Sequence, residues 1–576
     1  MLVAAGLSAD EAADLRAART VFEENIAAIR ARDRDQYLSL YLNSEKLVRT
    51  GPVGFTTGYE DFAKGAGGNW PDTIEATDMR LTPLRPGMVY GTYRYRVRYG
   101  ANENSGISER IFVETPAGWR IALTGAVESV PGTPPTPRAI TGATLIDGRG
   151  GAPVASANVV LRDGKIDCAG TAAQCPTPAG VDVVDARGLW ITPGLVDAHV
   201  HFSQTGWADG RPDALDLRAT HPYEKTIADL RRHPERLARS FLCSGVTGVF
   251  DVGGYTWTTE LERRFASDSA APHVSAAGPL LSTLDHWLNL PGERQFIHLK
   301  DEAAAREGVR YLAAHGAKAI KVWYLDENVP GITAAGQAAA SANLPLIVHA
   351  TELAGAKAAI RAGAKLLVHS IWDLPIDDEL IALAKEQGTI VSPTLTVMRG
   401  YVRMAESVAS RTAPAVDDPN RCVHPATRAK IESTAKLEAS LVTEAQLTRQ
   451  RNRTAERERI GDANLKRLVD AGIPIATGTD AGNPLTLHGP SIYAEMEAMQ
   501  AAGMSPMQVI VASTATAARA ARLDSVTGTL EKGKAADLLL LGADPSRDVA
   551  NFRKVRFVVR GGVVRGIDEL SAMAEK

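Results

Sequence analysis

Three features of the sequence predict an α/β chain organised around a (β/α)8 TIM barrel. Between residues 192 and 524, strand-like and helix-like runs alternate as they do in a parallel sheet of βα units. Eight strand-like runs can be counted there, the number that closes such a barrel. Two β-rich pieces, 138–191 and 525–570, bracket this stretch with the same texture, and fold most simply as one small discontinuous β-sandwich domain. The proline-rich PGTPPTPRAI reads as a stiff linker that sets all of this apart from an α+β domain over residues 1–132.

The elements follow in order. Residues 9–31 carry apolar side chains at helical spacing with few breakers, so a helix opens the first domain. GMVYGTYRYRVRYG and ISERIFVETPAGWRIAL then alternate apolar and polar residues, as half-buried antiparallel strands do. After the linker, ITGATLIDGRGG and ASANVVLRDGKIDCAG are short strands punctuated by the Asp147-Gly148 and Asp163-Gly164 turns. The eight barrel candidates are ITPGLVDAHVH, VTGVFDV, HVSAAGPLL, AIKVWY, LPLIVHA, KLLVHS, TIVSPTL and IPIATGTD. One connection, from about 400 to 470, is oversized and contains a charged amphipathic helical pattern. Ser505-Pro506 supplies an N-cap and a first-turn proline for a late helix.

At 576 residues the chain is long enough for three or more domains at about 150 residues each. Lys+Arg 64 against Asp+Glu 67 gives a formal charge of -3, so no basic excess points to nucleic acid or an anionic membrane. A small-molecule partner fits better. No apolar run approaches the roughly 20 residues of a membrane span. The opening MLVAAGLSADEAADL is apolar and small without the basic flank of a complete secretory signal. Of four cysteines, only Cys168 and Cys175 lie close, in a loop that allows either a disulfide or two separate thiols. A disulfide there would place the protein in the periplasm or outside the cell, and separate thiols would suit the cytoplasm.

Chemistry in such a barrel sits at the C-terminal strand ends. Those ends carry His199 and His201 on strand 1, Lys321 on strand 4, His349 on strand 5, His369 on strand 6 and Asp480 on strand 8. On a strand, His199 and His201 point to one side and Val200 to the other. Any one of these residues alone reads as a hydrogen-bonded strand-end side chain, and Lys321 as a salt-bridged core lysine. Six of them at one mouth read as a metal site. A protonated lysine has no lone pair for a metal, so Lys321 joins only after losing its proton and adding carbon dioxide as a carbamate.

TPGLVDAHVHF, KAIKVW, IVHA, LVHS, GTDAGNPLTLHGPSIYAEME and GTLEKGKAADLLLL, in this order, resemble the amidohydrolase superfamily of metal-dependent hydrolases from residue 138 onward. The strand 4 lysine is similar to that of the binuclear members, on the imidazolonepropionase-like and prolidase-like branch. The resemblance implies His199 and His201 on a buried metal, His349 and His369 on an outer one, and carbamylated Lys321 bridging them. Asp480 would bind the buried metal and move the proton of the attacking water. Zinc suits such imidazole and carboxylate ligands. The expected reaction is hydrolysis of an amide-type C–N bond in a dipeptide or N-acyl amino acid. The alternatives are a cyclic amide or lactone at the same site, or a non-catalytic metal-stabilised scaffold.

Around this set, His286 is a candidate donor to the substrate carbonyl or oxyanion. Tyr324 and Arg399 are candidates to meet a substrate carboxylate, and His488 to orient the strand 8 loop or touch substrate. His221, His233, His298, His315 and His424 show no arrangement and are expected at the surface. The first domain, with GYEDF and GWRIAL, resembles the nuclear-transport-factor-2-like (SnoaL-like) cone fold, which implies a role in docking or homo-oligomer assembly. No acid or base can be singled out there from Glu60, Asp61 or Asp78.

Overall fold

The computed structural model describes residues 9–51, 54–100, 102–129, 138–284, 288–323 and 329–575. The chain divides into two units, Met1–Pro134 and Pro135–Lys576. In the first, helices α1 (Ala9–Ala31) and α2 (Arg34–Ser39) precede strands β1 (Val48–Gly51) and β2 (Gly54–Thr57) and helix α3 (Tyr59–Gly65). Long strands β3 (Thr73–Arg85), β4 (Met88–Tyr99), β5 (Asn102–Thr115) and β6 (Gly118–Ser129) complete a sheet of order β2-β1-β6-β5-β4-β3. Period-2 patterning turns Val89 and Tyr93 of β4, Phe112 of β5 and Ile121 of β6 inward. They pack with Val21, Phe22 and Ile26 of α1 in one core, and each such fully buried side chain stabilises by about 1.5–3 kcal/mol.

The second unit begins with β7 (Arg138–Leu145), β8 (Val154–Arg162), β9 (Lys165–Thr171), β10 (Asp182–Asp185) and β11 (Trp190–Pro193). These join the late strands β21 (Leu538–Leu541), β22 (Val555–Arg560) and β23 (Val563–Gly566) in one eight-stranded sheet. Leu538–Leu541 pairs antiparallel with Pro193–Trp190, so the two ends of this unit meet inside a single ladder.

Between them run β12 (Leu195–Val200), α4 (Tyr223–Arg232), α5 (Glu235–Cys243), β13 (Val246–Asp251), α6 (Leu261–Phe265), β14 (His273–Ala276), β15 (Leu280–Ser282) and β16 (Phe296–His298). Then come α7 (Glu302–Ala314), β17 (Ile320–Trp323), α8 (Val329–Ser341), β18 (Leu346–His349), α9 (Leu353–Arg361), β19 (Ala364–Val368), α10 (Asp378–Gln387) and β20 (Ile390–Ser392). The helical insertion α11 (Val397–Ser410), α12 (Pro425–Glu432) and α13 (Glu444–Asp470) follows, and α14 (Ser491–Ala501), α15 (Pro506–Val511) and α16 (Ala517–Ala520) precede β21. A last helix, α17 (Ile567–Ala574), follows β23. The strands are parallel, in the orders β12-β13-β14 and β16-β15-β17-β18-β19-β20.

Two expected strands differ in detail. HVSAAGPLL splits into β14 and β15 around Ala277-Gly278-Pro279, where Gly278 takes a positive φ of 70° and proline has no N–H for a ladder. IPIATGTD forms no ladder, yet Ile475 bridges Val391 and Ala481 bridges Val200, which joins the segment to β20 on one side and β12 on the other. Lys318 N also donates to Ala276 O (2.8 Å), linking the end of β14 to the approach to β17.

Caps explain where the helices begin. Ser505 accepts from Gln508 N while the Gln508 side chain reaches back to Ser505 N, with Pro506 at the first position, as the sequence predicts. Thr443 and Gln446 form the same reciprocal pair at the start of the 27-residue α13. The open question over Cys168 and Cys175 resolves as a disulfide, and a second joins Cys243, at the end of α5, to Cys422 in the insertion. No helix among the described residues is long and apolar enough to cross a membrane.

Candidate metal centre

His199 and His201 stand at the end of β12, buried on the same side as the alternation requires. Asp197, also fully buried, fixes this strand to the last barrel segment by accepting from Thr479 Oγ1 (2.6 Å), Thr479 N (3.0 Å) and His199 N (3.2 Å). Gly478 is required beside it, since a Cβ there would lie 2.3 Å from Ser392 Oγ and 2.7 Å from His199 Cβ. The close approach brings Asp480 Oδ1 to 3.3 Å from His199 Nε2 and 3.0 Å from His201 Nε2, with Asp480 Oδ2 4.0 Å from His369 Nε2.

The protonation pattern decides what this cluster can hold. His201 Nδ1 lies 2.6 Å from the Gly253 carbonyl, which only accepts, so Nδ1 carries a proton and Nε2 is the ring atom that faces Asp480. His369 Nδ1 is likewise taken, by Thr394 Oγ1 at 2.7 Å. Burial drives the His199 and His349 pKa values well below the ordinary imidazole value and that of His369 to about 3, although Asp480 pulls the other way. Asp480 itself is pushed up by burial, but the facing imidazoles hold it well below the usual carboxylate range. Its Oδ1 is buried with no hydrogen-bond partner. Imidazole nitrogens thus face a carboxylate across about 3 Å, an arrangement that suits an intervening divalent cation. His199, His201 and Asp480 are the described donors whose ligand atoms lie within 4.8 Å of one another.

Lys321 on β17, His349 on β18 and His369 just after β19 line the same cavity, of about 290 Å3. The His349 and His369 rings are 4.3 Å apart, and those of His199 and His369 5.0 Å. Burial lowers the Lys321 pKa to about 7, against the pull of Asp480, so a large share of the amine is neutral near neutral pH. His369 (φ 77°), Thr394 (φ 46°) and Asp480 (φ 62°) all occupy the left-handed backbone region, which costs non-glycine residues about 1–3 kcal/mol.

The six expected ligands therefore share one cavity. Other expectations are corrected. Arg399 does not reach it: its Nε donates to Glu458 (2.8 Å) and it lines a separate recess beside Gly400 and Arg403. His488 is buried with its Nε2 3.0 Å from the His201 carbonyl, so it braces strand 1 from behind and does not face the cavity. His424 is buried too, its Nδ1 accepting from Ala426 N to cap α12. His286 and Tyr324 lie outside the described residues.

Sequence reasoning missed the cavity's polar wall. Arg211 forms a fork with Asp213 (2.9 and 2.7 Å), donates to Asn483 Oδ1 and lies over the Tyr401 ring. Tyr401 also donates to Asn483 Oδ1 at 2.5 Å. Trp323, Trp372, Phe296 and Leu280 supply the apolar wall. Residues 204–213 contain no motif, so no signal in them marked Arg211.

The model of the amidohydrolase family matches residues 190–567. The chain belongs to the amidohydrolase family. It is an enzyme, and the matched stretch contains all six residues of the cluster. An imidazolonepropionase of Methylobacterium nodulans is 30% identical over 291 residues, 45% of this amidohydrolase and 70% of that protein. An N-acyl-D-aspartate deacylase of Alcaligenes xylosoxydans xylosoxydans is 43% identical over 76 residues, 13% of this chain. The chain spans 14% of that deacylase's length. A solved Xaa-Pro dipeptidase with bound methionine shares the fold with a TM-score of 0.56 at 22% identity, over 75% of this chain and 100% of that one.

Proposed function

We propose that this amidohydrolase hydrolyses the amide bond of a dipeptide or N-acyl amino acid at a pair of divalent metal ions. The reading rests on the convergence of His199, His201, Lys321, His349, His369 and Asp480 on one cavity. It is supported by similarity to an N-acyl-D-aspartate deacylase and to the fold of a Xaa-Pro dipeptidase. His199, His201 and Asp480 would hold one ion, and His349 and His369 the other, with Lys321 between them as a carbamate. The neutral Lys321 amine reaches that state by adding carbon dioxide and releasing one proton. Bound zinc would supply Lewis acidity, making water more acidic and the scissile carbonyl more electrophilic.

The chain's own residues do the rest. Asp480 accepts the proton of the attacking water and returns it to the departing amine, so that C–O forms, C–N breaks and the proton ends on nitrogen. Arg211 provides charge for a substrate carboxylate, and Trp323 and Trp372 pack the side chain while excluding water. The Gly253 carbonyl keeps a proton on His201 Nδ1, and the Thr394 hydroxyl orients the His369 ring. The parallel strands, with the 475–481 segment between β20 and β12, close on this reading into an eight-stranded barrel. Cys168–Cys175 and Cys243–Cys422 support residence in an oxidising compartment, the periplasm or the exterior.

Metal content per chain by plasma mass spectrometry, paired with an assay of amine release from dipeptide and N-acyl amino acid libraries, tests the proposal. About two equivalents and amine release are expected. One equivalent argues for a mononuclear site, and two equivalents without turnover of any amide overturn the substrate class.

A further inference from the structure

A buried carboxylate outside the metal cavity grips the stretch of chain that holds one of the cavity's histidines. Glu495 of α14 is fully buried and does not line the cavity. Its Oε1 accepts from Leu395 N (2.7 Å), and its Oε2 accepts from Thr396 N (2.9 Å) and Thr396 Oγ1 (2.8 Å). Both oxygens are thus spent on one loop, the turn 393–396 between β20 and α11. Threonine at a helix start ordinarily caps its own helix, yet the Thr396 hydroxyl makes no cap bond to α11 and goes to Glu495. Burying a carboxylate is costly unless it is well hydrogen-bonded, and here the bonds that satisfy it also fix a loop backbone.

The clamped loop bears on the metal centre in two ways. Thr394 Oγ1 lies 2.7 Å from His369 Nδ1, and the Pro393 carbonyl accepts from Ser370 Oγ (3.1 Å), the residue after His369. Thr394 takes a φ of 46°, a conformation that a β-branched residue adopts only when its surroundings impose it. The next two residues are those whose N–H groups Glu495 holds. Downstream, α11 starts at Val397, and Val397, Met398 and Tyr401 wall the cavity. A shift of this turn would move both the His369 ring and that wall.

We propose that Glu495 is a positioning residue of the metal centre, pinning the 393–396 turn so that the Thr394 hydroxyl keeps His369 Nε2 turned toward Asp480. It touches neither ion nor substrate. The inference rests on the reading of His369 as a metal ligand given above, and on no particular substrate. Because Glu495 acts through Thr394, removing the Thr394 hydroxyl makes the Glu495 carboxylate redundant for metal binding.

Zinc affinity of the full chain, measured by competition with a chromophoric chelator in the presence of bicarbonate, tests it. Burial pushes the Glu495 carboxyl up to about 7, so the titration is run at about pH 8, where it is ionised. Thr394→Val should weaken zinc about 10–100-fold and Glu495→Gln about 10-fold, the range for partners of a metal ligand. The double variant should bind no more weakly than Thr394→Val alone, since the two residues act in series. Asp537→Asn, which alters another buried carboxylate outside the cavity, should lower stability and leave zinc affinity unchanged. Circular dichroism checks folding, and Thr396→Val, expected to cost about 3-fold for one hydrogen bond, carries the test if Glu495→Gln does not fold. Unchanged zinc affinity in Glu495→Gln overturns the proposal. So does an additive loss in the double variant, or an equal loss in Asp537→Asn. One zinc per parent chain overturns the metal pair while the same comparison still decides the role of Glu495, and a parent chain that binds no zinc overturns both.

Discussion

Asp480 is held by its neighbours as a carboxylate in a place where burial favours the acid, and three imidazole rings surround it. Asp480→Asn keeps the shape but removes the proton acceptor, so kcat should fall about 10²–10⁴-fold in a steady-state assay of amine release. Lys321→Ala should lower metal content toward about one equivalent per chain, read by plasma mass spectrometry with bicarbonate present. His488→Ala should cost about 10–100-fold in metal affinity, since the ring supports the His201 backbone and makes no ligand bond. An unchanged affinity would show that the hydrogen bond is dispensable. The ligand residues were legible in the sequence because strand alternation alone puts the rings of His199 and His201 on one side, at a strand end where such barrels place their chemistry. Arg211 and Asn483 were not legible, because they meet across 272 residues through loop paths that no local pattern encodes. Arg399 was misplaced for the same reason: its position after strand 7 was readable, while its turn toward Glu458 on α13 depends on how the insertion folds back.

At the scale of elements, the insertion is anchored more firmly than its charged, surface-like sequence suggests. Trp207 Nε1 donates to Thr434 Oγ1 (2.9 Å), Lys430 pairs with buried Asp209 (2.6 Å), and Cys422 is bonded to Cys243. Since α11 contributes Val397, Met398 and Tyr401 to the cavity, these anchors also position its wall. The Cys243–Cys422 bond spans 179 residues and, by loop closure, stabilises by about 5 kcal/mol. Cys243→Ala with Cys422→Ala should therefore lower the denaturant midpoint clearly and raise KM, whereas Cys168→Ala with Cys175→Ala should leave KM unchanged. Strand and helix order was readable because periodicity is local. The Cys243–Cys422 pairing was not, because sequence separation says nothing about which helix an insertion folds against.

Across the whole second unit, His273 of β14, Asp537 and Arg560 of β22 form a buried polar knot between the parallel strands and the eight-stranded sheet. Burial opposes ionisation of Asp537, but the His273 hydrogen bond and the Arg560 charge outweigh it and hold the pKa below the ordinary value. A depressed carboxylate stabilises fully above its unfolded value of about 4, and that contribution is lost as pH falls through the lower folded value. Urea titrations from pH 7 to 3 should show stability declining below about pH 4. Asp537→Asn should flatten that decline and cost about 3–5 kcal/mol at neutral pH, since it strands a buried arginine. The pairing of Leu538–Leu541 with Trp190–Pro193 has a consequence for biosynthesis. The flank of β11 that β21 covers stays bare from the time residue 193 emerges from the ribosome until residue 541 does. At about 5–20 residues per second, the nascent chain carries an open, apolar strand edge for tens of seconds. Chains stalled or cut before β21 should consequently partition into aggregates or onto chaperones, even with every metal ligand already synthesised.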